Sequence, residues 1–162
     1  MRSVFCDAEV MRYGDGPQTD GWIRSWIALM NRNYDERGYG LWIVTKIGNP
    51  RAIGYCGLTW FPNINGRAEI EVGYRLAREY WNTGFATEAA LAVRDLAFIC
   101  RGLDRLVAII DPDNFRSIRV AEKLGMKYDG DVLLDGYTHP DAVYACHRDE
   151  DGEPNDEPKS RS

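Results

Sequence analysis

The hydrophobic residues of this chain change their spacing near residue 80, and that change limits the folds it can adopt. Before it, three short runs at 41–47, 52–60 and 67–76 carry strand-like apolar patterns, separated by a Gly-Asn-Pro turn and a loop expected at 61–66. Such runs predict strands, and their close spacing predicts an antiparallel meander. After the change, apolar residues recur at helical spacing from Ala86 to Cys100. The meander is therefore expected to lead into a helix.

The rest of the chain also divides into helical and strand-like segments. Further elements are expected as follows: a helix at 19–32, a buried strand at 105–111, a helix at 115–124 ending before Gly125, and one or two strands around 126–134 and 141–148. These elements predict one α/β or α+β domain with a mixed sheet, in which an antiparallel meander is followed by a strand–helix–strand–helix unit.

Charge is concentrated at the C-terminal end of the chain. Residues 149–162 have a net charge of −4 and no large apolar residue, whereas the preceding 148 residues are nearly neutral. A folded domain at 1–148 and an acidic, disordered tail at 149–162 are therefore expected. The body shows no basic stripe that could neutralise phosphates, which argues against a dedicated nucleic-acid binder.

The cysteines and the apolar segments bear on the cellular compartment. Four cysteines are scattered without a CxxC pair, and the sequence shows neither an apolar leader nor a run of about 20 apolar residues. A reduced, cytoplasmic protein with no membrane partner is the simplest interpretation. A catalytic cysteine using His139 or His147 as base is the weaker alternative.

The segment 80–88, YWNTGFATE, joins the meander to the following helix and carries the most chemical information. Small residues at Gly84 and Ala86 allow an anion to approach the backbone, and N–H groups at a helix start can bind it. The pattern is neither a P-loop nor GxGxxG. A plain helix start with Thr83 as N-cap is the alternative interpretation.

Several motifs in sequence order resemble the GNAT superfamily of N-acetyltransferases, and most closely its ribosomal-protein N-terminal acetyltransferase branch. They are EVGY at 71–74, WNTGFATEA at 81–89, DNFRS at 113–117 and EKLGM at 122–126, with DAEVMRY at 7–13 matching the front of that branch. The resemblance runs from about residue 7 to 148. It departs from the branch at the shortened N-terminus, since almost nothing precedes Asp7 where a strand is usual. Either the natural start lies upstream, or the chain does without that strand and an exposed sheet edge is expected unless something covers it.

The resemblance implies transfer of acetyl from acetyl-CoA, as co-substrate, to an amine, with no metal. It implies that the backbone N–H groups of 82–87 hold the pyrophosphate and that the strand 72–76 runs along the pantetheine. The implied cofactor-binding residues are Val72, Gly73, Tyr74, Leu76, Trp81, Asn82, Thr83, Gly84, Phe85, Ala86, Thr87, Asn114 and Ser117. Because the superfamily often dimerises, a homodimer is an open expectation.

An acceptor amine is mostly protonated at neutral pH, so a base is needed. Glu69 and Glu71 lie two residues apart on a strand and should share a face. Glu71 aligns with the family's recurrent acid and Glu69 is the second candidate, while solvated carboxylates with no catalytic role are the alternative. Ser117 is the candidate proton donor or positioning group for the departing sulfur, with capping of its helix as the alternative.

Two classes of function remain open on the sequence. One is an N-acetyltransferase acting on a protein N-terminus or on a small amine. The other is a catalytically impaired acyl-CoA-binding or regulatory module. Trp60 and Phe61, beside the loop of the meander, are candidates for lining an acceptor site.

Overall fold

A computed structural model describes residues 1–148, so the expected tail at 149–162 lies outside the described residues. The helices are α1 (Arg2–Phe5), α2 (Asp20–Arg37), α3 (Phe85–Asp95), which continues as a π-helical turn (Leu96–Cys100), and α4 (Phe115–Lys123). The strands are β1 (Leu41–Lys46), β2 (Asn49–Ile64), β3 (Arg67–Leu76), β4 (Arg105–Ile110), β5 (Lys127–Val132) and β6 (Asp141–His147). No described helix has the length and apolarity to cross a membrane.

The six strands form one mixed sheet in the order β1-β2-β3-β4-β6-β5. All neighbouring pairs are antiparallel except β3 and β4, which are parallel. The register of that pair consists of Glu71 opposite Val107 alone, whereas β2 and β3 pair from Gly54–Leu76 to Ile64–Arg67. The sheet is therefore nearly open at its centre, between the meander and the second half of the chain.

Helices cover both faces of this sheet. One core is built from α3, α4 and the strand residues that face them, including Leu58, Val72 and Leu106. A second core holds α1 and α2 on the other face around Phe5, whose ring packs edge-on against Trp22 and Trp26 at 5.1 and 4.8 Å. The open centre of the sheet is thus enclosed by helices on both sides.

The predicted elements are present, with four differences. The loop expected at 61–66 is strand as far as Ile64, and the turn consists of Asn65 and Gly66 at positive φ. The helix expected at 19–32 runs on to Arg37, α1 was not predicted, and the helix beginning at Phe85 ends in a π-helical turn.

β1 lies at one edge of the sheet, and no further strand of residues 1–148 pairs with its outer side. All four cysteines are free thiols.

Candidate active site

A cavity of about 520 Å³ opens at the centre of the sheet, where β3 and β4 separate. Its lining includes most of the residues implied to bind cofactor: Val72, Gly73, Tyr74, Leu76, Trp81, Asn82, Gly84, Ala86, Thr87, Asn114 and Ser117. The volume is typical of small-molecule sites. The segment 80–88 and the C-terminal half of β3 therefore form two sides of one cavity.

The start of α3 presents uncapped backbone N–H groups to this cavity. Gly84 is the N-cap residue, with φ of 92°, and no side chain caps the helix. The interpretation of Thr83 as N-cap is wrong, because its hydroxyl donates instead to the carbonyl oxygen of Tyr80 at 2.6 Å. Asn82 adopts φ of 57°, which Asn tolerates better than most residues. An anion fits here because the first-turn donors have no side-chain cap and carry the positive end of the helix dipole.

Two of the implied cofactor-binding residues direct their side chains elsewhere. The Phe85 ring packs edge-on to Tyr80 at 6.1 Å and takes the Lys46 ammonium 5.5 Å from its centre. The Thr83 hydroxyl donates to the Tyr80 carbonyl oxygen, as described above. Any contact of Phe85 or Thr83 with an anion in the cavity would therefore be through the main chain.

The α4 side of the cavity carries Asn114 and Ser117. Asn114 is the N-cap of α4, and its side-chain oxygen accepts from the Ser117 N–H at 3.3 Å. The Tyr74 hydroxyl donates to the Ser117 carbonyl oxygen at 2.8 Å, and burial raises the pKa of Tyr74. Since Asn114 does the capping, the Ser117 hydroxyl is not needed as the N-cap.

Glu71 lies at the point where the strands diverge. It is partly exposed to the cavity, and its carboxylate accepts a hydrogen bond from the Ile109 backbone N–H of β4. The pKa of Glu71 is raised to about 7, mainly by desolvation on burial and to a smaller extent by Asp141, while the Ile109 N–H and the Arg75 guanidinium oppose the shift. A carboxyl with a pKa near neutral can accept a proton and release it again at physiological pH.

Glu69 has different surroundings, although it lies on the same strand. Its side chain is 5% exposed and forms ion pairs with Arg67 and Arg105, the latter at 3.1 Å. It lines neither the central cavity nor the cleft described next. The geometry therefore favours Glu71 over Glu69 as the base.

A second cavity, of about 290 Å³, opens on the face of the sheet covered by α1 and α2. It shares the following lining residues with the first: Tyr13, Tyr55, Glu71, Arg75, Ile109 and Asp141. We call it the acceptor-side cleft. Its walls include Trp22 and Trp26 of α2 and also Phe61, whereas Trp60 lies outside it and packs under the Arg37 guanidinium at 4.1 Å. The two cavities therefore adjoin, and Glu71 and Asp141 are the carboxylates that they share.

Of the six shared residues, Glu71 alone was identified as a site residue from the sequence; Tyr13, Tyr55, Arg75, Ile109 and Asp141 were not. Arg75 and Tyr13 line both cavities, and the Tyr13 hydroxyl donates to the Asp113 carbonyl at 3.1 Å. Asp141, at the start of β6, completes the junction, and burial raises its pKa. Arg75 carried a detectable signal, since it lies on the same face of β3 as Glu71 and four residues away.

His139 joins two of the carboxylates at the rim. Its Nε2 lies 3.1 Å from Asp111 and 4.0 Å from Asp141, so it is a hydrogen-bonded loop residue. These three residues are the group among residues 1–148 whose ligand atoms lie close enough, within 4.8 Å, to hold a metal ion. The existing hydrogen bond accounts for their proximity without an ion.

Comparisons with known proteins agree with this geometry. A sequence model described as "Acetyltransferase (GNAT) domain" matches residues 1–127. The chain is 38% identical over 143 residues to the protein YkkB of Bacillus subtilis (strain 168), covering 87% of this chain and 80% of that one. It is 30% identical over 80 residues to the spermidine N(1)-acetyltransferase of Escherichia coli (strain K12), covering 49% and 42%. A GNAT-family acetyltransferase structure from Bacillus anthracis superposes with a TM-score of 0.74 at 28% identity, covering 91% and 86%.

Proposed function

The chain belongs to the GNAT acetyltransferase family and is an N-acetyltransferase that uses acetyl-CoA; on this premise we propose that a primary amine enters through the acceptor-side cleft and attacks directly, with Glu71 as the base. The observation that carries the proposal is that the two cavities adjoin and share Glu71, a carboxylate at the point where β3 and β4 part. Two substrates held in separate cavities can react there without a covalent enzyme intermediate.

The central cavity fits the cofactor. The backbone N–H groups at the start of α3 would hold the pyrophosphate, and the half of β3 from Val72 to Leu76, which faces the gap beside β4, would run along the pantetheine. The cofactor supplies an activated acetyl thioester. Arg116, Arg119 and Lys123 lie on one side of α4 and line the same cavity, so they offer positive charge to the phosphates.

Glu71 removes the proton that keeps the acceptor unreactive. The ammonium form of the acceptor gives a proton to the Glu71 carboxylate, and the free amine then forms the nitrogen–carbon bond to the acetyl group while the carbon–sulfur bond breaks. The nitrogen loses a second proton, and one proton returns to the sulfur, so the products are the amide, free CoA thiol and one proton. The Ser117 hydroxyl, in the same cavity, is the proposed donor toward the sulfur.

The geometry favours a small amine over a protein N-terminus. The acceptor-side cleft is bounded by α1, by α2 and by the segment around Tyr137, and at about 290 Å³ it is small. A protein N-terminus, which the ribosomal-protein branch would suggest, needs an extended groove for the following residues. The four free thiols suit a reducing compartment, so the cytoplasm remains the proposed location.

Calorimetric titration with acetyl-CoA, with ADP as the comparison ligand, tests the cofactor half of the proposal. We expect saturable binding of acetyl-CoA well above that of ADP. Gly84→Val should weaken this binding at least about tenfold, because a side chain would intrude where the anion meets the backbone. Gly66→Val is the matched control, since Gly66 has φ of 91° against 92° for Gly84 and equally open surroundings, but lies in the β2–β3 turn.

Equal losses of affinity in the two glycine variants would show that backbone strain, rather than a phosphate cradle, causes the effect. Tight acetyl-CoA binding with no turnover of any amine, across a panel of amino acids, amino-acid amides, polyamines and peptides, would favour the impaired binding module instead.

A further inference from the structure

Arg75 is the positively charged residue at the junction of the two cavities, and its interaction with Glu71 is electrostatic at a distance rather than an ion pair. Within residues 1–148, its guanidinium forms no ion pair with a carboxylate, and its hydrogen bond goes to the Met11 sulfur at 2.8 Å. The side chain is only partly exposed. Because a half-buried guanidinium with no carboxylate in ion-pair contact is incompletely compensated, its position beside a ligand cavity points to an anionic partner from outside the chain.

The Arg75 guanidinium lies on the side of the acceptor-side cleft. Arg75 lies opposite Tyr55 on β2, and its guanidinium approaches Gly14 of the segment that closes the cleft, where a Cβ would come within 3.1 Å of it. Along β3, Gly73 alone separates it from Glu71 on the same face. Glu71 and Arg75 both line the acceptor-side cleft, so a small molecule held there can contact Glu71 at one end and Arg75 at the other.

The remaining walls of the cleft supply opposite charge and apolar surface. Asp15 and Asp141 are the other carboxylates in its lining, and Asp15 accepts a hydrogen bond from the Tyr137 hydroxyl at 2.9 Å. Trp22 and Trp26 stand stacked, with ring centres 6.5 Å apart. The cleft therefore offers carboxylates for an ammonium group, a guanidinium for an anion, and aromatic rings for an apolar group.

We infer that the acceptor is a small amino acid-like molecule, whose amine faces Glu71, whose carboxylate pairs with Arg75 and whose apolar side chain packs against Trp22 and Trp26; this rests on the proposed function. A guanidinium can bind a carboxylate through two parallel hydrogen bonds, which fixes orientation as well as affinity. Arg75 is thus a residue that determines acceptor specificity. A polyamine has no carboxylate to pair with Arg75.

The test compares acceptors that differ only at the carboxylate. CoA thiol release is measured with apolar and aromatic α-amino acids, with their primary amides and decarboxylated amines, and with spermidine. Measurements at pH 8.5, above the raised pKa of Glu71, limit the contribution of its titration to the comparison. We expect the best acid to exceed its own amide in kcat/KM by at least about tenfold, since a charge-assisted pair contributes that much.

Substitution of Arg75 distinguishes binding of the acceptor carboxylate by Arg75 from an indirect effect of Arg75 on Glu71. Arg75→Gln should raise KM for the acid about tenfold or more and leave its amide within about twofold, and Arg75→Lys should restore part of the difference. Arg51→Gln is the control, because it removes one exposed positive charge of β2 outside both cavities. If Arg75 acted only through Glu71, the acid and the amide would lose activity equally.

Different results would contradict the inference about the acceptor carboxylate and the proposed acetyltransferase mechanism. Turnover of spermidine or of amides with no preference for any acid would overturn the carboxylate inference and leave the acetyltransferase mechanism intact. Equal responses of acid and amide to Arg75→Gln would also overturn it. Absence of turnover with every amine, while acetyl-CoA still binds, would overturn the proposed mechanism as well.

Discussion

Two glutamates on β3, only two residues apart, have different surroundings and therefore different properties. Glu69 is held by two arginines and lies away from both cavities, so its charge is compensated within the protein. Glu71 lies where the strands part; its hydrogen-bond donor is the backbone N–H of Ile109, and burial raises its pKa to about 7. The strand fixes which face each residue occupies, but its neighbours decide whether a carboxylate stabilises the fold or exchanges protons.

The largest expected difference between these residues is in turnover. Glu71→Gln should lower kcat about 100-fold or more, because the acceptor loses its base, while the Kd for acetyl-CoA stays nearly constant. Glu69→Gln is the matched control and should stay within a few-fold of the wild-type rate. Steady-state kinetics with one acceptor decides this, and comparable losses in both variants would remove the distinction between the two carboxylates.

For folding stability, Glu69→Gln should have the larger effect and Glu71→Gln the smaller one. Glu69→Gln removes the buried counter-charge of Arg105, which keeps its ion pair with the exposed Asp129, and should cost about 1–3 kcal/mol of unfolding free energy. Glu71→Gln should cost nothing at neutral pH. Urea unfolding of both variants provides the measurement, and an unchanged midpoint for Glu69→Gln would show that its ion pairs carry little weight.

A pH profile sharpens the role assigned to Glu71. The carboxylate form accepts the proton, so kcat/KM should rise with pH, about tenfold per unit on the acidic side, and bend near pH 7. In Glu71→Gln this bend should disappear, while the limb set by the acceptor's own amine remains. A bend near pH 7 that survives the substitution would assign the ionisation to another group.

A further expected effect is a gain of stability in Glu71→Gln at alkaline pH. Because the pKa is raised from 4.5 in the unfolded reference to about 7, the folded state retains a proton that the unfolded state loses between these values, and stability falls as pH rises through that window. Removing the ionisable group should stabilise the protein by up to about 3 kcal/mol at pH 8 and by less at pH 5. Thermal unfolding at the two pH values tests this, and an equal shift at both would contradict it.

The sequence predicted the strand that carries these residues but not the difference between them. The expected strand at 67–76 matches β3, and the segment 80–88 does adjoin the cavity. The ion pair that separates Glu69 from Glu71 comes from Arg105, which is 36 residues away and reaches it only through the parallel crossover. Long-range contacts of this kind leave no periodic signal in a single sequence.

Local chemistry explains the mistaken loop at 61–66. Pro62 cannot donate to a strand ladder and therefore favours a loop, although Asn-Gly at 65–66 is a strong hairpin signal. The structure accommodates both, since the β2–β3 register shifts between Phe61 and Ile64 and the turn follows at Asn65. Arg75 was missed because an arginine on a strand usually faces solvent, and only the packing of α1 and α2 on that face shows that it lines a cleft.

Because a ligand can fill the gap between β3 and β4, binding of the cofactor should also contribute to the free energy of unfolding of the protein. With one residue pair in register, the two halves of the sheet are joined at their centre mainly through Glu71 and Val107. A ligand that fills the gap and binds only the folded state adds RT ln(1 + [L]/Kd), about 2.7 kcal/mol at a hundredfold excess over Kd. The melting temperature of this protein should therefore report the concentration of acetyl-CoA around it.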